Sequence, residues 1–476
     1  MNQSCCPPQQ ENDRYDLAVI GAGSAGFSAA ITAAEQGAQV ALIGHGTIGG
    51  TCVNVGCVPS KALIRATEAV HHAKSASRFA GVVGNGQVKD WIALRAQKDE
   101  LVTSLRQAKY IDLLPAYNGV AYFEGQAKLG NGGVTVDDLH IDADKVIVAT
   151  GSREFVPNIP GIENVPFLTS TTAFEMERLP ASMIVMGGGY IGCELAQMFA
   201  RAGVKVTMVF RSRLLPGGEP EISEALAQYF DQEGISVRQV SAYERISHTD
   251  NGVILEAQID GKTHKLEAEH FLLAAGRTAN TEGLGLDEAG IEILPNGGIN
   301  VDEQMRTTKA GVYAAGDVTG RDQFVYMAAY GAKIAANNAM NGDSRNYDNN
   351  AMPAVTFTDP QVASVGRTEA AARAQGIDVK TSVLPLDNVP RALAARDTRG
   401  LIKLVADSAT SKLIGAHIIA PEGADSIQTA AIAIKQGMTY GELGEMIFPY
   451  LTTVEGLKLA AQTFDMDVSK LSCCAG

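Results

Sequence analysis

Cysteines in close pairs are the residues of this 476-residue chain whose type and spacing point most directly to chemistry. Six of its 7 cysteines form three pairs, which are Cys5 and Cys6, Cys52 and Cys57, and Cys473 and Cys474. This number is far too small for a disulfide-stabilised fold. Paired thiols can cycle between dithiol and disulfide, or they can bind a soft metal ion. The pairs therefore indicate redox or metal chemistry more than structural cross-linking.

The central pair lies in the segment GGTCVNVGCVPSK, which contains Cys52, Cys57 and Lys61. The two cysteines are separated by four residues, and the following segment ALIRATEAVHHA predicts a helix. This spacing places the sulfurs about one helical turn apart, near a helix N-terminus whose dipole stabilises a thiolate. We expect a reactive pair, either a redox dithiol or a chelate for a soft metal.

Two βαβ units with glycine-rich turns are the elements that must position this chemistry. The first runs through YDLAVI, GAGSAG, FSAAITAAEQG and AQVALIG, and the second, SMIVMGGGYIGCELAQMFARAGVKVTMVF, has the same internal spacing. A GxGxxG turn lets the backbone approach a pyrophosphate, which then lies at the positive end of the following helix. The repeat predicts parallel sheets and two bound dinucleotides. The repeated glycines are Gly21, Gly23, Gly26 and Gly37, and Gly187, Gly189, Gly192 and Gly203.

The end of the second strand in each unit predicts which nucleotide is bound. An acidic residue there usually holds ribose hydroxyls, but the second unit has Arg211 and Arg213. Because arginine suits a 2′-phosphate, this unit is predicted to prefer NADPH to NADH. In the first unit the same place is Gly44, followed by His45, which leaves the ribose contact of that nucleotide unexplained.

Taken together, these motifs resemble the flavoprotein disulfide reductases, the class I pyridine nucleotide-disulfide oxidoreductase family. The resemblance runs from about Tyr15 to the C-terminus and rests on GAGSAG, GGTCVNVGCVPSK, VIVATGS, GGGYIGCE, AAGR, VYAAGD and FTDPQVASVG. It implies an α/β fold with two Rossmann-like FAD/NAD(P)-binding domains and a C-terminal α+β dimerisation domain. The expected division is a disordered tail (1–14), an FAD-binding domain (15–152 and 277–347), an NADPH-binding domain (153–276) and a dimerisation domain with a Cys-Cys tail (348–476).

The resemblance also implies roles for individual residues. Cys57 is the charge-transfer thiol next to the flavin, and Cys52 is the outer, interchange thiol. Lys61 and Glu194 are implied as a pair beside flavin N5. The further FAD-binding residues implied are Gly21, Gly23, Ser24, Ala25, Gly26, Gly50, Thr51, Lys61, Ala149, Thr150, Gly151 and Asp317, the last at the ribityl–pyrophosphate region. The NADPH-binding residues implied are Gly187, Gly189, Gly192, Arg211, Arg213, Gly276 and Arg277, with Tyr190 covering the flavin until nicotinamide enters.

Near its C-terminus the chain departs from the thiol-substrate members of this family. Those members carry a His–Pro motif whose histidine is the acid–base for a thiol leaving group, oriented by a later glutamate. Here the segment is FPYLTTVEG, with Tyr450 at the place of the histidine and Glu455 at that of the glutamate. Tyrosine, with a reference pKa of about 10, is a poor proton shuttle at neutral pH. A thiol substrate is therefore disfavoured.

The terminal sequence SCCAG indicates a different substrate. Adjacent thiols on a chain terminus suit the capture of a soft ion by thiolate ligands. Combined with the resemblance, this implies reduction of Hg(II) to Hg(0) by NADPH through FAD, with Cys473 and Cys474 passing Hg(II) to Cys52 and Cys57. Tyr190 and Tyr450 are then expected to line the mercury path, and the active site to be shared between the subunits of a homodimer.

Two alternative functions remain open from the sequence. One is a dihydrolipoamide dehydrogenase-like thiol–disulfide oxidoreductase, and the other is a mercury-sequestering protein without turnover. The second is disfavoured because sequestration needs no nucleotide unit. Of the remaining cysteines, Cys193 is expected in the core, whereas Cys5 and Cys6 lie in a Pro/Gln-rich tail without an expected role. His71 and His72 are expected on a helix surface.

The overall charge limits the partners that the chain can have. The 39 Lys and Arg residues and 53 Asp and Glu residues give a formal net charge of −14, which argues against nucleic acid and anionic membrane as partners. No apolar run reaches the roughly 18 residues that span a bilayer, and the N-terminus has no secretory pattern. We therefore expect a cytoplasmic protein that meets Hg(II) and small thiols.

Overall fold

The structure, a computed structural model, describes residues 14–468. Within this range the chain forms two compact units. The first consists of residues 14–60, 95–155 and 276–348, and the second of residues 61–94, 156–275 and 349–468. The predicted tail pairs, Cys5 with Cys6 and Cys473 with Cys474, lie outside the described residues.

The described residues form strands and helices, with long runs of consecutive strands between some of the helices. The strands are β1 Tyr15–Ile20, β2 Val40–Gly44, β3 Val120–Glu124, β4 Ala127–Gly130, β5 Gly133–Val136, β6 Leu139–Val148, β7 Ser152–Glu154, β8 Ser182–Met186, β9 Lys205–Phe210, β10 Ser236–Gln239, β11 Ala242–Thr249, β12 Gly252–Ile259, β13 Lys262–Ala268, β14 His270–Leu273, β15 Arg277–Ala279, β16 Val312–Ala314, β17 Pro353–Thr356, β18 Gln361–Gly366, β19 Val379–Pro385, β20 Leu401–Asp407 and β21 Leu413–Ala420. The helices are α1 Ser24–Ala34, α2 Gly50–Asn54, α3 Cys57–Lys74, α4 Trp91–Arg106, α5 Tyr190–Arg201, α6 Pro220–Gln232, α7 Val325–Asn341, α8 Glu369–Ala374, α9 Pro390–Ala395, α10 Gly423–Lys435, α11 Tyr440–Glu445 and α12 Glu455–Gln462.

The first unit is built on a sheet with the strand order β3-β2-β1-β6-β5-β4, in which β16 also pairs with β6. Strand β1 is parallel to both β2 and β6, as the βαβ pattern predicts. All its residues except Asp16 are buried, because α1 and the other elements cover the sheet. The core includes Leu17, Leu42 and Ile147, which are fully buried. This packing fixes the carboxyl end of β1, where the first glycine turn begins.

The second unit contains the repeat of this motif and a separate C-terminal sheet. Strands β8, β9, β10 and β14 form a parallel sheet in the order β10-β9-β8-β14, and β11, β12 and β13 form an antiparallel one. The C-terminal sheet is antiparallel, in the order β17-β18-β21-β20-β19. Cys193 in α5 is fully buried, and burial raises the pKa of its thiol, which confirms the prediction of a core residue.

The helix after the central cysteines differs from the prediction in where it begins. It was expected at Ala62, but α3 begins at Cys57 and includes Pro59 in its first turn. Proline is tolerated there because the first backbone N–H groups of a helix have no intrahelical acceptor. Cys57 is therefore the first residue of an 18-residue helix. Across residues 14–468, none of the helices combines the length and the apolar character needed to span a bilayer.

Candidate functional site

The first glycine turn forms a cradle with an uncapped helix at its end. Gly21 has φ of +118°, and a Cβ on it would overlap with the carbonyl oxygen of Ala149. Gly23 is the N-cap of α1, and no side chain hydrogen bonds to the N-terminus of this helix. The first N–H groups of α1 are thus left for another acceptor, and a pyrophosphate is the acceptor that such a turn binds best. These residues fit a dinucleotide such as FAD.

Helix α2, which carries Cys52, begins directly against this turn. Gly50 has φ of +66°, and a Cβ on it would lie 2.6 Å from the Cα of Gly23. The N–H of Gly49 donates to the carbonyl of Ala22 over 2.9 Å. Because there is no side chain at this contact, the backbone of the cysteine segment lies against the backbone of the nucleotide turn. The segment that carries Cys52 and the first glycine turn are therefore one continuous piece of structure.

The other end of α2 is held by an amide that uses both its donors and its acceptor. The side chain of Asn54 donates to the carbonyls of Ile48 and Gly50, each over 2.9 Å. Its oxygen accepts from Arg106 at the end of α4 over 3.1 Å. Asn54 and Arg106 were not predicted from the sequence, because their pairing joins positions that are 52 residues apart.

Tyr110 is another residue near the cysteines that was not predicted from the sequence. Its ring packs edge-on against Phe27 with centroids 4.8 Å apart, and its hydroxyl lies 3.5 Å from the hydroxyl of Ser24. Burial raises the pKa of Tyr110, and negative charge on Cys52 and Cys57 adds to this shift, while the Ser24 contact opposes it. Tyr110 is therefore a neutral phenol in the electrostatic neighbourhood of both sulfurs.

The predicted FAD residue Asp317 is part of a hydrogen-bonded chain in the first unit. Its carboxylate accepts from the hydroxyl of Ser152 over 2.6 Å, and that hydroxyl accepts from Arg277 over 2.7 Å. Arg277 also donates to the backbone carbonyl of Ser152 over 2.6 Å. Gly276 and Arg277 were predicted to bind NADPH, whereas the observed partner of Arg277, Ser152, contacts Asp317. Neither assignment is tested by these contacts, and both stay predictions.

Gly44, where an acidic residue was expected, has a steric explanation. A Cβ on Gly44 would overlap with the hydroxyl of Tyr122 on the neighbouring strand β3 and would lie 2.8 Å from the Cβ of Ala22. A larger residue would therefore displace either Tyr122 or the glycine turn. An acidic side chain does not fit at position 44, because Tyr122 and Ala22 fill the space that it would need.

The second glycine turn repeats the geometry of the first. Gly187 has φ of +130°, and a Cβ on it would overlap with the carbonyl oxygen of Ala274. Gly189 is the N-cap of α5, again without a side-chain cap, and open space surrounds its position. Tyr190 follows as the first residue of α5 and is 43% exposed, although its partial burial raises the pKa of the phenol. The residues fit a second dinucleotide.

Lys61 and Glu194, paired in the sequence analysis, are in contact. The Lys61 ammonium lies 2.7 Å from one carboxylate oxygen of Glu194, which is 5% exposed. The other oxygen accepts from the backbone N–H of Phe357 over 2.9 Å, and the Lys61 ammonium lies 5.1 Å from the Phe357 ring. Both carboxylate oxygens are therefore bound, and Glu194 holds Lys61 as a fixed positive charge. Phe357 begins the motif FTDPQVASVG, to which the sequence analysis gave no role.

The two predicted NADPH arginines have different environments. Arg213 donates from one nitrogen to the carbonyls of Pro216 and Gly218, over 3.0 and 2.6 Å. Its guanidinium is thus used to shape its own loop. Arg211 is exposed at the end of β9. Of the two, Arg211 has the environment that suits contact with a nucleotide phosphate.

Tyr450 lies in a turn before α12, and Glu455 is the first residue of that helix. Leu451 has φ of +62°, a left-handed conformation that is unusual for leucine, and its N–H donates to the carboxylate of Glu455 over 3.1 Å. The buried carboxylate therefore stabilises a strained turn. Tyr450 is 54% exposed on this turn, and the nearby Ile447 is 97% exposed.

Comparisons with known proteins agree with this architecture. Residues 15–336 match the family model described as pyridine nucleotide-disulphide oxidoreductase, and residues 352–461 match its dimerisation domain. The chain therefore belongs to the pyridine nucleotide-disulphide oxidoreductase family. It is an oxidoreductase with FAD and NADPH as cofactors, and the predicted fold class is confirmed.

The curated relatives of the chain show to which group within the family it belongs. It is 46% identical to a mercuric reductase from Bacillus cereus over 98% of this chain and 74% of the relative. It is 45% identical to a mercuric reductase from Streptomyces lividans over 98% of this chain and all of the relative. Within its family the chain belongs with the mercuric reductases. Among solved structures it resembles the Cu(II) complex of the HOCl-induced flavoprotein disulfide reductase RclA from Escherichia coli, with a TM-score of 0.83, 31% identity and coverage of 94% and 99% of the two chains.

Proposed function

We propose that the chain is an NADPH-dependent flavoprotein that reduces Hg(II) to elemental Hg(0). The observation that carries this proposal is the position of the cysteines: Cys52 lies on a helix that begins against the first nucleotide turn, and Cys57 begins the next helix. Tyr450 at the place of an acid–base histidine removes the group that a thiol substrate needs. Proteins named mercuric reductase, 45–46% identical to this chain, support the same assignment.

The reaction balances when the thiolates that hold Hg(II) are counted. NADPH loses two electrons and a proton as NADP⁺ forms, Hg(II) gains the two electrons and leaves as Hg(0), and its two thiolates take up that proton and one more from solvent. FAD, when bound, supplies the two-electron carrier between these reactants. The protein must bind the soft ion, exclude water from it and hold the charges around it.

Cys52 and Cys57 are the proposed ligands of Hg(II) during reduction. Thiolates are preferred by soft ions, and the start of α3 stabilises a thiolate at Cys57. Tyr110, held neutral by burial, adds no charge that would compete with these sulfurs. Lys61, fixed by Glu194, supplies a positive charge for the flavin, and Asp317 is held by Ser152 for the ribityl–pyrophosphate region.

Delivery of Hg(II) is assigned to Cys473 and Cys474, which receive it from small thiols by ligand exchange. The exposed Tyr450 turn lies in the segment that matches the dimerisation domain. We infer a homodimer in which this turn and the terminal cysteines serve the partner subunit's site, with Tyr190 and Tyr450 along the path. A reducing cytoplasm would keep all these thiols available.

The decisive experiment measures NADPH oxidation by the FAD-loaded protein with Hg(II) and excess small thiol, with mercury vapour trapped. We expect oxidation that depends on Hg(II), with one Hg(0) for each NADPH. Turnover with dihydrolipoamide in place of Hg(II) would instead support the thiol oxidoreductase alternative. Stoichiometric Hg(II) binding without NADPH consumption would contradict reduction altogether.

Changing both Cys473 and Cys474 to alanine is expected to impair turnover most strongly when excess small thiols compete for Hg(II). The reason is that two adjacent thiolates on one segment act at a high effective concentration. The measurement is the rate of NADPH oxidation across a series of thiol concentrations. The matched control is the Cys5→Ala, Cys6→Ala variant, which removes the other vicinal pair and should follow the wild type. Full activity of the Cys473/Cys474 variant at high thiol would rule out the delivery role.

Arg211→Ala is expected to lower kcat/KM for NADPH about tenfold or more while leaving that for NADH nearly unchanged, because a charge-assisted contact to the 2′-phosphate is lost. The ratio of kcat/KM for NADPH to kcat/KM for NADH isolates the contribution of the 2′-phosphate. The comparison variant Arg211→Lys keeps the charge and should retain part of the preference. An unchanged ratio in Arg211→Ala would remove this residue from the NADPH site.

A further inference from the structure

A buried cluster of charges in the second unit has no part in the chemistry described so far. Lys403 on β20 of the C-terminal sheet is 3% exposed. Its ammonium lies 3.0 Å from Glu219, 2.8 Å from Glu221 and 3.1 Å from Glu369. One buried cation thus meets three carboxylates from two different parts of the sequence.

The electrostatics show that this cation is held firmly. Burial by itself lowers the pKa of Lys403, but its hydrogen bonds to the three carboxylates outweigh that effect and raise the pKa above its usual range. The same contacts lower the pKa of Glu221 and of Glu369. Such a cluster keeps its geometry because a displacement would separate the buried ammonium of Lys403 from the buried carboxylate of Glu219.

Glu219 connects this cluster to the segment between β9 and α6. It is the N-cap residue of α6 and follows directly on residues 211–218. One of its carboxylate oxygens binds Lys403, and the other accepts from the backbone N–H of Glu369 over 2.6 Å. Glu219 is 2% exposed, so both oxygens are held by the C-terminal sheet and its neighbouring helix.

The segment held in this way contains backbone strain. Leu215 has φ of +47°, a conformation that costs a leucine free energy, and it is buried. Its N–H donates to the carbonyl of Gly188 in the second nucleotide turn over 2.6 Å. The carbonyl of Leu214 accepts from the hydroxyl of Ser223 over 2.6 Å. A strained segment keeps its shape only when its surroundings determine it, and its end at Glu219 supplies one of these restraints.

We propose that Glu219 and Lys403 are positioning residues for NADPH: their buried contact fixes the 211–218 segment and thereby the place of Arg211. This inference rests on the proposed role of Arg211. Recognition of the 2′-phosphate is then determined partly by the C-terminal sheet. The effect is specific to ligands that carry a 2′-phosphate.

The test is calorimetric titration of the FAD-loaded protein with adenosine 2′,5′-bisphosphate, and with 5′-AMP as the ligand that lacks the 2′-phosphate. Glu219→Gln keeps an acceptor for the Glu369 N–H but loses the ionic contact with Lys403. We expect it to weaken binding of the bisphosphate about five- to tenfold, a usual size for coupling between sites, and to leave 5′-AMP binding unchanged. Faster amide hydrogen exchange of residues 211–218 in the same variant is the second expected readout.

The matched control is Glu369→Gln, which removes a carboxylate from the same lysine without touching the 211–218 segment. It should bind the bisphosphate within twofold of the wild type. Equal losses in the two variants would overturn the proposal, as would wild-type affinity in Glu219→Gln. If Glu219→Gln does not fold, Lys403→Arg replaces it, since a guanidinium cannot reproduce three ammonium contacts in this buried space. Wild-type affinity of that variant would also overturn the proposal.

Arg211→Ala in the same titration separates this inference from the proposed function. Loss of bisphosphate affinity in Arg211→Ala but not in Glu219→Gln overturns only the positioning role. Unchanged affinity in Arg211→Ala overturns the role of Arg211 itself, and the positioning role with it. Loss of bisphosphate affinity in both Arg211→Ala and Glu219→Gln, with unchanged affinity in Glu369→Gln, supports the role of Arg211 and the positioning role together.

Discussion

Replacing Cys57 with serine is expected to lower Hg(II)-dependent oxidation of NADPH by on the order of 10³-fold or more, because residues that act as a unit lose most of their effect together. A serine hydroxyl is a hard, neutral ligand, whereas Hg(II) prefers thiolates. The start of α3 stabilises a thiolate at this position but cannot ionise a serine. The measurement is the initial rate of the FAD-loaded variant at saturating NADPH. Cys52→Ser is expected to show a loss of similar size.

The control for this experiment is another thiol in the same chain. Cys193→Ala removes a buried cysteine whose sulfur donates to the carbonyl of Gly188 over 3.5 Å. Because this thiol is inaccessible and protonated, the variant should retain nearly all its activity. If Cys57→Ser kept more than about a tenth of the wild-type rate while remaining folded, the proposed metal chemistry at this pair would be wrong.

The second large effect concerns stability and arises from a buried network around Arg201. Its guanidinium donates two hydrogen bonds to Glu233, each over 2.7 Å, and lies 3.0 Å from the carboxylate of Asp359. The guanidinium of Arg399 also contacts both carboxylates, 3.5 Å from that of Glu233 and 3.3 Å from that of Asp359. Arg201→Met would leave two buried carboxylates with one arginine. We expect a loss of about 3–5 kcal/mol in the free energy of unfolding, measured by denaturant titration.

This loss should depend on pH in a defined direction. Burial alone would raise the pKa of Asp359, but its contacts with His72, Arg201 and Arg399 outweigh burial and lower it. A carboxyl whose folded pKa is lowered contributes stability above its unfolded pKa of about 3.9, and the contribution disappears as the pH falls toward the folded value. The difference between Arg201→Met and the wild type should therefore shrink in acid, as Asp359 takes up a proton.

An exposed ion pair is the comparison for this prediction. Lys265 lies 3.0 Å from Glu256 on the surface of β13, and its side chain is 65% exposed. Lys265→Ala should leave the midpoint of unfolding nearly unchanged, because solvent already screens such a pair. A loss in Arg201→Met no larger than that in Lys265→Ala would show that the network is not a source of stability.

The sequence was sufficient for those parts of the site that depend on local pattern. The turns at Gly21 and Gly187 are specified by glycine spacing and by the apolar strands before them, and the structure contains both with positive φ. The contact between Lys61 and Glu194, 133 residues apart, was accessible through the family resemblance. Spacing alone could not have paired these two residues.

Local sequence patterns could not predict the features that depend on long-range contacts or on the backbone conformation. Arg213 was placed with NADPH by its position after β9, yet its guanidinium binds carbonyls of its own loop. Nothing in the local pattern distinguishes it from Arg211, because both arginines are polar residues in a turn. His71, expected on a helix surface, lies 3.7 Å from Glu233 and is mostly buried. The elements that cover this part of α3 come from sequence segments more than 100 residues away.

The contacts of Phe357 and its neighbours have a consequence for how this chain can be divided. A fragment ending at Asp348 would still contain both glycine turns, Cys52 and Cys57. In that fragment Glu194 would lose the N–H of Phe357, Arg201 would lose Asp359, and Glu219 would lose Lys403. Glu194 would keep Lys61 and Arg201 would keep Glu233, but each would lose one partner, and Glu219 would lose both groups that bind its oxygens. The C-terminal module is therefore part of the support of the nucleotide-binding part. Chimaeras that exchange the C-terminal module between relatives must therefore exchange these partner residues as a set.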